Sequence, residues 1–131
     1  MKKAYLILFI MIIFLSACNS NTWVLEKDRL SETGSVKDYV EQLQNDQTDF
    51  RGFRVFTISE GKKMVVVSTG TSNQTLEFID ANVADNSTTI TVEGKSSETD
   101  EENAYILIGI DEIKGELSVV SESGETYSEY E

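Results

Sequence analysis

Hydrophobic and polar positions change rhythm three times along the chain. From Ala4 to Phe14 the residues are apolar without interruption, with Lys2 and Lys3 before them and the small residues Ser16 and Ala17 after. A membrane-crossing helix needs roughly 20 apolar residues. The shorter run predicts an export signal, with its charged start, apolar middle and small-residue cleavage site. Further on, Val36, Tyr39, Val40 and Leu43 recur at helical spacing, while Lys37, Glu41, Gln42 and Gln44 fall elsewhere. This predicts one amphipathic helix over about Val36–Asn45. Ser35-Val36-Lys37-Asp38 before it has the form of a capping box. A helix this short is marginal in water, so it is expected to dock on an apolar surface, the sheet that follows.

From Phe50 the period falls to two. Phe53–Ile58 is aromatic and β-branched, Glu60-Gly61 supplies a turn, and Lys62–Ser68 carries Met64-Val65-Val66-Val67, which together predict a hairpin. Leu76 and Phe78, then Ile79, Ala81 and Val83, form an apolar series whose parity switches near Phe78–Ile79. Such a switch predicts a bulge or bend in a longer strand. Asp85-Asn86-Ser87 turns the chain into Thr88–Glu93, where Ile90 and Val92 share a face, giving a second hairpin. Tyr105–Ile110 is nearly continuous apolar and is expected to be covered on both sides. Lys114-Gly115 and Ser123-Gly124 mark turns around a strand over Glu116–Val120. Glu125–Glu131 is expected either to form a last edge strand or to fray. The fold class expected is α+β, mostly β: a small antiparallel sheet or sandwich-like domain with one N-terminal amphipathic helix.

Composition narrows what such a domain does. Without the first 17 of its 131 residues the chain keeps 114, enough for one small core. Those carry 9 basic and 23 acidic residues, a net charge of −14. A surface this acidic repels phosphate backbones, so nucleic acid is not an expected partner. The chain has no His, which removes the commonest general base and every Ser–His or Cys–His arrangement. It has no Pro either, so turns rest on Gly, Asn, Asp and Ser.

Leu15-Ser16-Ala17-Cys18 resembles the lipobox of bacterial lipoproteins. The resemblance implies cleavage between Ala17 and Cys18 and a lipid on the Cys18 thiol, the only cysteine of the chain. Two acyl chains, at about 0.8 kcal/mol per buried CH₂, hold a protein to a membrane without protein–lipid contacts. The expected organisation is a signal over 1–17, a lipidated Cys and tether over 18–34, and a single domain over 35–131. The expected place is the outer, extracytoplasmic face of the cell membrane. Trp23 follows the polar spacer Asn19–Thr22. It reads either as a residue closing one edge of the core or as a membrane-interface anchor.

A second resemblance runs over about Lys63–Asp111. An apolar strand ends in Ser68-Thr69-Gly70, followed by a polar loop with Thr71 and Thr75 and a strand with Glu77-Phe78-Ile79. An Asp-Asn turn, Thr89-Ile90-Thr91-Val92 and Asn103-Ala104-Tyr105-Ile106-Leu107-Ile108 complete the order. This is similar to the C-terminal domain of the protease-complex proteins of the PrcB family, a small β domain of exported bacterial proteins. Where that family has a Thr-Gly-Gly-Tyr-like loop and an Asn-Pro-Tyr, this chain has Thr71–Leu76 and Ala104. The resemblance implies association with, or stabilisation of, a secreted protease. The whole chain also resembles small uncharacterised lipoproteins of Bacillus-type bacteria.

Three clusters invite a chemical reading. Glu98, Asp100, Glu101 and Glu102 place four carboxylates in one loop. They lack the alternating spacing and turn glycine of a calcium loop, so a solvated loop and no metal is expected. Ser68–Asn73 lacks the lysine and following helix of a phosphate loop. Arg51 and Arg54 flank Phe50 and Phe53; they form either a partner-facing patch or, as expected, surface ion pairs over a core of the two rings. No residue is singled out as catalytic and no cofactor is expected. The function expected is a non-enzymatic protein-binding module for an exported or envelope protein, reached by strand addition. A folding enzyme such as a prolyl isomerase is the alternative, and it would need a deep apolar pocket with convergent polar groups.

Overall fold

The computed structural model describes residues 22–25, 34–58 and 62–130. Lys2, Lys3, Ala17, Cys18 and the Glu60-Gly61 turn lie outside the described residues. Among the described residues there are one helix, α1 (Gly34–Asn45), and eight strands: β1 (Thr22–Val24), β2 (Arg51–Thr57), β3 (Lys63–Thr69), β4 (Gln74–Val83), β5 (Ser87–Ser96), β6 (Tyr105–Ile110), β7 (Glu116–Ser121) and β8 (Thr126–Glu129). The strands form one sheet in the order β1-β6-β3-β2-β8-β7-β5-β4. It is nearly closed into a barrel, so the mostly β, α+β class expected from the pattern is the class observed.

The hairpins fall where the alternation predicts them. β2 and β3 pair antiparallel over their full length, Phe53 opposite Val67 and Val55 opposite Val65. β4 and β5 pair from Gln74↔Ser96 to Val83↔Thr88, and the register slips between Phe78 and Asp80. The extra residue at that slip is Ile79, turned outward, so the parity switch is a bulge. Two pairings differ from the antiparallel expectation: β2–β8 and β5–β7 run parallel. The first arises because β8 returns to lie between β2 and β7, the second because the chain crosses from β5 to β6, beside β3, before it comes back to β7. Thr126–Glu129 of the tail is therefore an inner strand of the sheet and neither an edge strand nor a frayed segment.

Side chains inside the barrel come from alternate positions. Phe53, Val65, Val67, Ile90, Val92, Ile106, Ile108, Ile110, Val119 and Tyr127 form the interior cluster. On the outer face α1 lays Val36, Tyr39, Val40 and Leu43 over Met64, Val66, Tyr105 and Leu107. These four are the residues that the 3.6-residue spacing selects. β3 and β6 are thus sandwiched between barrel and helix, which is why both read as continuous apolar runs. Complete burial of such a side chain stabilises by roughly 1.5–3 kcal/mol. α1 begins at Gly34, which puts Ser35 inside the first turn. Among the described residues no hydrogen bond joins the Ser35 and Asp38 ends of the expected capping box.

Trp23 lies half-buried over Gly109 of β6. β1 pairs with the end of β6, Trp23 opposite Gly109, and a Cβ at Gly109 would collide with the indole. The ring lies where a β6 side chain would otherwise stand, and Lys62 Nζ sits 5.7 Å from its centroid. Among the described residues no helix is long and apolar enough to cross a membrane.

Candidate functional site

The polar loop after Ser68-Thr69-Gly70 is bolted down by a residue that the sequence pattern does not single out. Asn103 is fully buried at the start of β6. Its Nδ2 donates to the Gln47 and Phe50 carbonyls at 2.9 Å each, and its Oδ1 accepts from the Gly70 amide at 2.7 Å. Its backbone is held by Gln44 of α1, which donates to the Asn103 carbonyl at 2.7 Å and accepts from its amide at 3.1 Å. One side chain thereby joins the helix exit, the end of β3 and the start of β6. Thr69, Thr71 and Ala104 add backbone bonds across the same junction. This polar loop is therefore a structural knot. The sequence marks Asn103 as a polar residue ahead of an apolar strand, which is common at any strand entry, and as the Asn standing where the resembled family has Asn-Pro-Tyr.

The acidic loop hangs from this knot through Thr99, whose amide donates to the Ser72 carbonyl at 2.9 Å. Glu98, Asp100 and Glu102 are exposed and Glu101 is half-buried. Among the described residues no three acids, Cys or His converge as a metal site.

The two arginines part company. Arg51 forms the expected surface pair, Nη2 to Glu125 Oε2 at 2.8 Å, and stacks 4.3 Å over Tyr127. Arg54 instead stands among the rings of Tyr39, Phe56 and Tyr130, 5.0–5.2 Å from each centroid. Phe53 is in the interior, as expected, whereas Phe50 belongs to the outer cluster beneath Tyr130. Burial pushes the Tyr39 phenol up to about 12, against the lowering effect of Arg54. Its hydroxyl is buried with no hydrogen-bond partner among the described residues. Tyr105, also desolvated, is likewise pushed up to about 12.

A large opening in the barrel wall lies between β2 and β7. β8 fills the space between those strands only at one end. It pairs with β2 at Gly52 and Phe53 and with β7 at Val119 and Val120. A Cβ at Gly52 would strike the Ser128 carbonyl and the Phe50 ring, so this close approach requires glycine. Beyond it β2 continues to Thr57 and β7 reaches back to Glu116 with no strand between them among the described residues. The result is a cavity of about 620 Å³. Phe53, Val119 and Tyr127 form its floor, Val55, Ile113 and Leu117 its half-exposed walls, and Glu116, Glu129 and Lys63 its rim. Sequence alternation marks Leu117 and Val119 as a strand, but nothing in it shows that β8 is too short to cover them.

Over 133 aligned residues the chain is 43% identical to the uncharacterised protein YycS of Bacillus subtilis (strain 168), spanning 98% of this chain and 96% of that protein. The chain belongs to the YycS family. No family model matches it. No solved structure matches it either.

Proposed function

We propose that the protein is a lipoprotein held by a lipid on Cys18 at the extracytoplasmic face of the cell membrane, where its β domain binds another exported protein without catalysing a reaction. The observation that carries the binding reading is the strand-wide opening between β2 and β7, where two backbone edges face each other over an apolar floor. Such edges recruit an added strand. The anchoring reading rests on Lys2-Lys3, the apolar run to Phe14 and Leu15-Ser16-Ala17-Cys18. The similarity of Lys63–Asp111 to the PrcB C-terminal domain favours a secreted protease, or a protein handled with one, as the partner.

Crosslinking in intact cells, followed by capture of the native protein beside a Cys18→Ala variant, tests both parts. The expected result is a discrete exported protein joined to the anchored form alone, with metabolic acyl labelling lost in the variant. Absence of a specific crosslinked partner with either form overturns the binding reading, and acyl labelling that survives in Cys18→Ala overturns the anchor.

A further inference from the structure

We infer, building on the protein-binding reading above, that the β2–β7 slot receives one extended peptide strand whose side chains are apolar at alternate positions and which carries Lys or Arg at its ends. Backbone parity defines the rims. The Phe53 carbonyl accepts from the Tyr130 amide on the β8 side, whereas the Ile58 amide donates to Lys62 on the β3 side. Odd-numbered residues of β2 therefore turn towards the slot, and those beyond β8 are Val55 and Thr57. On β7 the Ser121 amide donates to Glu125 on the β8 side, and the Glu122 amide donates to Val92 on the β5 side. By the same parity Leu117 turns its amide and carbonyl to the slot. Each rim thus offers a donor and an acceptor.

The width follows from the strand order. Where β8 sits, β2 and β7 are two inter-strand spacings apart, about 9.6 Å. One strand continuing the path of β8 meets both rims at once. On β8 Tyr127 and Glu129 turn to the cavity while Tyr130 packs outside against Phe50 and Tyr39. A guest strand with the same alternation places every second side chain over Val55 and Leu117, and those must be apolar. Charge selects the flanks. Glu116 and Glu129 are exposed at the rim and have no basic partner among the described residues. The one rim lysine, Lys63, donates to Thr57 Oγ1 at 2.7 Å. With a net charge of −12 on the chain, a cationic strand is attracted and an acidic one repelled.

The test uses the full chain purified in detergent and a fluorescent heptapeptide of alternating Val and Thr with a Lys at each end. Two controls are the same peptide N-methylated at alternate amides, which keeps its charge, and a version with Glu at each end. Saturable anisotropy with the first peptide is expected, at least tenfold weaker with either control. Hydrogen exchange of Val55–Thr57 and Glu116–Ser118 slows on binding. The exposed-site double variant Glu116→Lys with Glu129→Lys is expected to lose at least fivefold affinity for the Lys peptide and to gain it for the Glu peptide. Equal binding of the N-methylated peptide, no saturation, or slow exchange of both rims in the free protein overturns the inference. A cellular partner that crosslinks through a photoreactive group at Asn82, on the far hairpin, and not at Thr57 overturns it while leaving the protein-binding reading in place.

Discussion

The two sides of the barrel are built from similar strands yet differ in how they are finished. On the β3–β6 side every strand position after Lys63 is buried, α1 covers the outer face, and Asn103 draws helix, β3 and β6 together with three side-chain hydrogen bonds. On the β2–β7 side a four-residue strand bridges half the gap and leaves two backbone edges without a neighbour among the described residues. Buried polar groups that lack partners cost about 1–3 kcal/mol each, so a closed side needs complete pairing. An open side meets water and tolerates incomplete pairing. Stability is therefore concentrated at the closed side and accessible surface at the open one.

The largest effect is expected from Asn103→Ala. It removes three side-chain hydrogen bonds and leaves the Gly70 amide without its acceptor, while the Gln47 carbonyl keeps the Phe50 amide at 3.2 Å and the Phe50 carbonyl keeps the Ser68 hydroxyl at 2.9 Å. A loss of about 3–5 kcal/mol in urea unfolding is expected. A loss below about 1 kcal/mol would show that the closed side does not depend on the knot.

Next comes a matched pair of truncations. Ile108→Ala removes a side chain with no exposed surface from between β3 and β1, and is expected to cost about 2–5 kcal/mol. Leu117→Ala, at the half-exposed wall of the slot, is expected to cost less than about 1 kcal/mol. Equal costs measured by the same denaturant titration would erase the contrast between the two sides.

Alkaline pH weakens the closed side first. Tyr39 and Tyr105 have folded values near 12, above the ordinary 10, because burial disfavours the phenolate. The unfolded chain therefore gives up these protons before the folded one does. Their contribution is intact below pH 10 and is lost as pH rises from 10 to 12, on the order of 1.4 kcal/mol per tyrosine by pH 11. Tyr127 shifts in the same direction, also chiefly through burial. Unfolding free energies measured from pH 8 to 11.5, with tyrosinate absorbance followed in parallel, test the sign. Stability that is flat across that range would contradict it.

The smallest effect is expected from Tyr39→Phe, which removes a buried hydroxyl with no partner among the described residues while keeping the ring against Phe56 and Tyr130. Stability is expected to hold or rise by up to about 1 kcal/mol, and part of the alkaline loss should vanish. A marked loss of thermal stability would mean that the hydroxyl is bonded in solution.

Local pattern makes much of this architecture readable. The face of α1, both hairpins, the bulge at Ile79 and the two-sided burial of β6 follow from spacing alone, since each depends on residues close in sequence. The candidate site is legible only in part. Alternation places Leu117 and Val119 on a strand, and the Arg51–Glu125 pair is of the kind expected for Arg51. The slot itself depends on β8 lying between β2 and β7, a pairing across some 70 residues that carries no local signal. Arg54 among three rings and Asn103 bound to Gln47, Phe50 and Gly70 are likewise products of distant segments meeting.

What the sequence determined by itself was the period of each segment, its turns, the mostly β class, and a strongly acidic surface. All of these are summed from neighbouring residues. Only the tertiary structure decided which strand edges are closed, which polar side chain is buried, and where the opening lies. Strand pairing is set by backbone groups that every residue carries alike. Which edges meet is therefore settled by the packing of the whole barrel.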